Sequence, residues 1–364
     1  MNIAEIIAAL EVWAPPSLEE SYDNCGLLTG MPGWNCTGIL CTLDATEEVI
    51  LEAAAKGCNL VVAHHPIIFG GLKKINGSGY VERTVITAIK KDIAIYAIHT
   101  NLDNVLHGVS GRMADRLDLV NRYILNPMQK QLKKLYTFVP EAHAAAVRDA
   151  LFAAGAGQIG DYSECSFSAA GSGTFRGSEN THPFVGEPGK RHVEPETKVE
   201  VIFPVWLEPG IIKALIQAHP YEEVAYAIIS LDDTFGQTGS GLVGELTDEM
   251  TETAFLDLLK TAFELKIIRH SSLTGQKVRK IALCGGAGSF LISKALRQNV
   301  QFFVTADMKY HEFFDAEGKM VIADIGHFES EQFTIDLIFD HLTTKFPTFA
   351  VQKTAIVTNP VHYY

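Results

Sequence analysis

Two strand–helix–strand passages of equal step length lie in opposite halves of the sequence, and they constrain the fold more than any other feature. Residues 39–44 form an apolar run ending in Asp44, residues 46–56 read as a helix stopped by Gly57, and residues 59–64 form a second run ending in His64. Thr46 suits the N-cap of that helix, with Glu47 and Glu48 favourable to its dipole. The same order returns at 280–285, 289–298 and 300–305: Asp44 to His64 is 20 residues, and Gly285 to Thr305 is also 20. A third run at 93–99, reached through a helix at 81–91, is mirrored at 319–326. Short continuous apolar runs alternating with helices indicate parallel strands covered on both faces. The prediction is an α/β fold with a duplicated three-layer core, although any two strand–helix–strand units share this much grammar.

Between these halves the pattern changes. A strand at 132–139, a helix at 141–154 closed by Gly155-Ala156-Gly157, and one long or two short strands within 161–176 precede a polar loop at 177–196, which contains Pro183, Gly186, Pro188 and Gly189. A strand at 199–206, a helix at 209–219 and a strand at 224–231 complete a β-α-β-β-α-β order, the signature of a ferredoxin-like α+β domain. The expected organisation is one core formed by residues 1–127 and 234–364, interrupted by an inserted domain at 128–233.

The 43 acidic residues outnumber 30 basic ones, and a formal charge of −13 argues against nonspecific nucleic-acid binding, which needs a basic surface. No apolar run approaches the ~18 residues of a membrane span. The first residues carry Glu5 and Glu11 where a secretory signal carries basic side chains, so a cytoplasmic location without membrane partners is expected. The cysteines at 25, 36, 41, 58, 165 and 284 include no CxxC pair, which excludes the usual pattern of a thiolate zinc site. Thirteen histidines remain to be placed.

In open parallel sheets, ligands bind beyond the carboxyl ends of the strands. The second run exits into His64-His65-Pro66, the third into His99-Thr100-Asn101-Leu102-Asp103, and the mirrored third into His327-Phe328-Glu329-Ser330-Glu331. Adjacent His64 and His65 point in opposite directions if the strand continues, so they suit two ions rather than one. His327 and Glu331 share a face if a helix starts there, and Glu331 can bridge two ions. Imidazole and carboxylate without thiolate suit Zn, Fe, Mn or Co. The competing reading is that each strand-end histidine only bonds a neighbouring carbonyl. His99 is read as packed or supporting. Gly285-Gly286-Ala287-Gly288 is read as a tight turn or a weaker anion cradle, Tyr22-Asp23-Asn24-Cys25-Gly26 as an Asx turn or part of the substrate side, and His219-Pro220-Tyr221-Glu222-Glu223 as a helix end. Asp307 and His311, leaving the mirrored second run, are candidates for a general acid or base or for a helix cap.

These motifs, in order across nearly the whole chain, resemble the NIF-three-like dinuclear metal-centre family, which includes the GTP cyclohydrolase type-two homologues. The resemblance implies that His64, His65, Asp103, His327 and Glu331 bind two divalent ions, with Glu331 bridging, and that the protein self-associates as a toroidal homohexamer, a trimer of dimers. The insertion resembles the PII-like or CutA-like module of longer bacterial members. Tyr22 and Cys25 stand where members often have Trp and a branched residue, and Thr305-Ala306-Asp307 where Thr-Gly-Glu or Thr-Gly-Asp is usual. The implied activity is metal-dependent hydrolysis of a nucleotide or phosphorylated compound, in its most specific form GTP ring opening with formate release, with Asp307 or His311 moving protons. The alternative is a metal-binding regulatory or adaptor protein with a ligand-sensing insert, favoured by the lack of an obvious nucleophile, purine-stacking motif or phosphate loop.

Overall fold

The structure, a computed structural model, describes residues 1–364 and divides into two compact units, Met1–Pro127 with Gln237–Tyr364, and Met128–Gly236. The first unit is built on two sheets. In one, the strand order is Gly26–Thr29, Ala94–Ala97, Leu60–His65, Ile39–Asp44 and Val351–Lys353; the last four run parallel and the first antiparallel. In the other, it is Arg269–His270, Val321–Asp324, Phe302–Ala306, Lys277–Ala287, Thr234–Thr251 and Val120–Gln129. Its three parallel strands again have a short antiparallel strand beside the third. Each sheet therefore repeats one order: antiparallel edge, third, second and first strand.

Strand residues alternate between two cores, as period-two geometry requires when both faces are covered. Ile39, Cys41, Leu60 and Val62 pack with Ile3, Ile6 and Leu10 of the helix Ile3–Trp13, while Leu40, Val61 and Ala63 pack with Val49 and Ala53 of Glu47–Ala55 and Val85 of Tyr80–Lys90. Thr46 caps Glu47–Ala55 by accepting from the Val49 amide.

The helix after each third strand crosses to the opposite sheet. Met113 and Ala114 of Val109–Arg116 join the core of Ile281, Leu283 and Phe302, whereas Ile338 and Leu342 of Thr334–Lys345 join that of Ile39 and Leu60. Val351–Lys353 then adds a parallel strand to the first sheet. This exchange of helices makes one body of two similar halves and brings their strand exits together.

The second unit has an antiparallel sheet in the order Ser166–Phe175, His192–Pro204, Leu132–Pro140 and Tyr226–Leu231. Helices Ala144–Ala153 and Glu208–Ala218 cover one face, burying Leu135, Val139, Val199, Val201 and Phe203. The strand expected at 199–206 starts at His192, shortening the predicted loop. Pro195 lies inside it, one residue beyond Glu196, where pairing with Leu132–Pro140 ends and only the pairing with Ser166–Phe175 continues. The region expected to be helical at 289–298 is a 3₁₀ turn, Ser289–Leu291, followed by the short helix Ile292–Arg297. No helix is long and apolar enough to cross a membrane.

Candidate metal centre

His64 and His65 end a strand of the first sheet, and Asp103 ends the short helix Thr100–Asp103 after the next strand. From the other half, His327 and Glu331 open and close the helix His327–Glu331. The His327/Glu331 pair occupies the place in its half that His99 and Asp103 occupy in theirs, four residues apart beyond the third strand. Glu331 is 3% exposed, and its two oxygens face different neighbours. Oε2 lies 3.0 Å from His65 Nε2 and 3.1 Å from His327 Nε2, while Oε1 lies 4.0 Å from His64 Nε2, which is itself 3.7 Å from Asp103 Oδ1. Two donor sets result, His65/His327/Glu331 and His64/Asp103/Glu331.

Each imidazole is held from behind. His64 Nδ1 donates to the Ile98 carbonyl at 2.8 Å, His65 Nδ1 to Asp44 at 2.8 Å and His327 Nδ1 to Asp307 at 2.7 Å. With Nδ1 bonded from behind, each Nε2 is directed into the centre, the atom a metal ligand would offer once any proton on it is displaced. Two buried atoms of the centre lack any hydrogen-bond partner, His64 Nε2 and Asp103 Oδ1, and they face each other. Unpaired buried polar atoms are costly, so this pair fits a cation between them.

The electrostatics agree. Burial pushes the His64 imidazole down to about 3, which keeps it neutral and able to ligate. Burial pushes Asp103 up, with the Glu331 charge adding to it. Burial opposes ionisation of Glu331 as well, but hydrogen bonds from His327 and His65 outweigh it and hold the carboxyl well below its usual range. His65 and His327 shift the other way: burial opposes their charge, yet Asp44 and Glu331 raise His65, and Asp307 and Glu331 raise His327. The packed carboxylates favour positive charge at this spot.

Three further residues complete the centre. His99, read as packed or supporting from its place after an apolar strand, turns its ring to within 5.1 and 5.2 Å of the His64 and His65 ring centroids and joins them as a donor set. Its Nδ1 donates to Asp23 at 2.9 Å, and Thr100 donates to the same carboxylate through its amide and its hydroxyl. Asp23 is therefore a support of the centre within the Tyr22–Gly26 motif. Gly286 sits at φ +61°, and a Cβ there would overlap Glu331 Oε1. The glycine-rich turn makes room for the Glu331 carboxylate.

Of the two proton-transfer candidates, Asp307 touches His327, whereas His311 is not brought to the cluster. Asp307 turns the chain at φ +56°, and the 3₁₀ helix Tyr310–Ala316 that follows packs the His311 ring against Tyr310 and Phe314. His311 lines neither cavity beside the donor sets. The larger cavity, about 960 Å³, opens over His65, Asp103, His327 and Glu331.

Fold and centre together define a class: duplicated α/β proteins whose strand exits converge on a histidine–carboxylate cluster suited to divalent cations. The family described as Duf34/NIF3 (NGG1p interacting factor 3) matches residues 1–360, and this chain belongs to it. The chain is 40% identical over 329 residues to the GTP cyclohydrolase 1 type 2 homolog of Halalkalibacterium halodurans, covering 90% of this chain and 88% of that protein. The Bacillus subtilis protein of the same name is 37% identical over 330 residues, with the same coverage. Among solved structures, a Bacillus cereus protein related to NIF3 superposes with a TM-score of 0.88 at 37% identity, over 100% of this chain and 99% of that one. A Staphylococcus aureus protein does so with a TM-score of 0.77 at 30% identity and the same coverage.

Proposed function

We propose that this protein is a dinuclear metal-dependent hydrolase. The observation that carries the reading is the Glu331 carboxylate, each of whose oxygens faces its own pair of side-chain donors. Two divalent ions, Zn, Fe, Mn or Co, supply a water of lowered pKa and a positive field for the charge that develops in hydrolysis. His64 and Asp103 hold one ion, His65 and His327 the other, and Asp44 and Asp307 orient the second pair from behind.

The cavity over the centre limits the substrate. No Lys or Arg lines it, so an anionic group of a substrate is met by the ions and by neutral donors such as Asn126 and Ser240. Tyr22, Phe69 and Phe290 line it and are each more than half exposed, which suits stacking on a planar ring. A nucleotide or related phosphorylated compound matches both features, and the names of the relatives favour GTP ring opening. We also propose a PII/CutA-like fold for the unit 128–236, supported by its strand order, and a homohexameric assembly in the cytoplasm, supported by the family resemblance; light scattering on the purified protein reads the assembly.

The test combines metal analysis with turnover. The purified chain is expected to carry about two ions and to hydrolyse a member of a nucleotide and phosphoester panel, with formate released if GTP is the substrate, and chelation should abolish turnover. Two ions with no turnover across the panel would overturn the hydrolase reading and leave a metal-binding protein.

A further inference from the structure

The unit 128–236 contains a cavity of about 720 Å³ on the sheet face opposite its helices. Its floor is the run Ala169 to Gly173, whose small side chains leave the space open. Phe138, Phe175, Phe184 and Tyr221 form its walls, with Phe175 and Phe184 centred 6.0 and 6.3 Å from Tyr221. Phe184 comes from the polar loop, which is tied to the His219–Glu223 motif by the His182 amide donating to Glu222.

Among these aromatic walls lies one nearly buried carboxylate. Glu196 is 8% exposed, accepts from the Tyr221 hydroxyl at 2.9 Å and forms no ion pair. Its other oxygen lies where a Cβ on Gly173 would be, so the absence of a side chain there is what admits it. Lys198, two residues along on the same strand face, does not neutralise it. That ammonium pairs with Glu200 and sits 4.7 Å over the Tyr136 ring. A carboxylate taken out of water without a cationic partner is costly, and aromatic faces attract cations through their quadrupoles.

We propose that this cavity binds a small organic cation: a protonated amine on an apolar or aromatic body, with the ammonium on Glu196 and the body against Phe138, Phe175 and Phe184. The charge of Glu196 selects the cation, and the small-residue floor sets the size. The site is lined by residues of the unit 128–236 alone and does not depend on hydrolysis.

Titration of the full-length protein with phenethylamine, followed by calorimetry, tests this against two probes of similar shape, hydrocinnamate for opposite charge and benzyl alcohol for none. Saturable binding of the amine alone, one per chain, is expected. Glu196→Gln keeps an acceptor for Tyr221 and should weaken binding at least about tenfold, the scale of a hydrogen-bonded charge. Phe184→Ala, on the loop and away from the carboxylate, should weaken it independently, and both variants should melt like the parent. Equal binding of the three probes, an undiminished Glu196→Gln variant, or no saturable amine binding at millimolar concentration would overturn the proposal.

Discussion

At the scale of single residues, the centre works through what stands behind each ligand. A histidine becomes a directed donor only when its other nitrogen is occupied, and Ile98, Asp44, Asp307 and Asp23 do this for His64, His65, His327 and His99. Glu331→Gln keeps the shape and removes the charge; its metal content should fall while its circular dichroism stays unchanged, and parental metal stoichiometry would end the bridging assignment. Asp307→Asn should weaken metal affinity by about 10–100-fold, the usual effect of losing such a support. His311→Ala should leave metal content unchanged, because its ring packs on Tyr310 and Phe314. Strand exits singled out the clusters His64-His65, His99–Asp103 and His327–Glu331, and the family resemblance narrowed them to His64, His65, Asp103, His327 and Glu331 as candidate ligands. The sequence did not separate Asp307 from His311, since both leave the same strand and only the backbone turn at Asp307 sends one towards His327 and the other away.

At the scale of elements, two local devices have measurable consequences. The end of the strand Lys277–Ala287 approaches the helix His327–Glu331 so closely that Gly286 must lack a side chain. Gly286→Ala adds a methyl against Glu331 at a positive φ and should cost about 1–3 kcal/mol in stability together with metal binding, read by melting and metal analysis. The second device is Glu252, in the first turn of Glu252–Ala262. It accepts from the Thr274 amide and hydroxyl and from the Gly275 amide. Burial opposes its ionisation, but these hydrogen bonds outweigh it and hold the carboxyl below its ordinary value of 4.5. A depressed folded-state value means that the stabilisation is complete above 4.5 and is lost as pH falls through the folded value. Glu252→Gln should therefore cost about 1 kcal/mol near neutral pH, and its melting temperature should converge with that of the parent in acid. A constant difference at every pH would refute the assignment. The tie between Glu252 and the turn at Thr274–Gly275 was not legible, because residues 252 and 274 are joined by tertiary folding and not by local pattern.

At the scale of the whole molecule, the first unit closes without the second. The Gly239 backbone lies against Asn126 and Pro127, so the chain ends left by removing 128–236 are neighbours. Replacing that segment by a short Gly-Ser linker should leave a folded protein with parental metal content, and loss of cooperative melting would show that the core needs it. The sequence by itself determined the element grammar, because the period of apolar residues reports which faces are buried. It also determined the donor chemistry, because imidazole and carboxylate at strand exits restrict what can bind there. Only the tertiary structure decided which donors lie together, how Glu331 divides its oxygens, that His99 joins them, and that Glu196 stands without a cationic partner in an aromatic cavity. Those contacts depend on crossing helices and on sheet registers that bring together residues from tens to hundreds of positions apart, and no local periodicity encodes such distances.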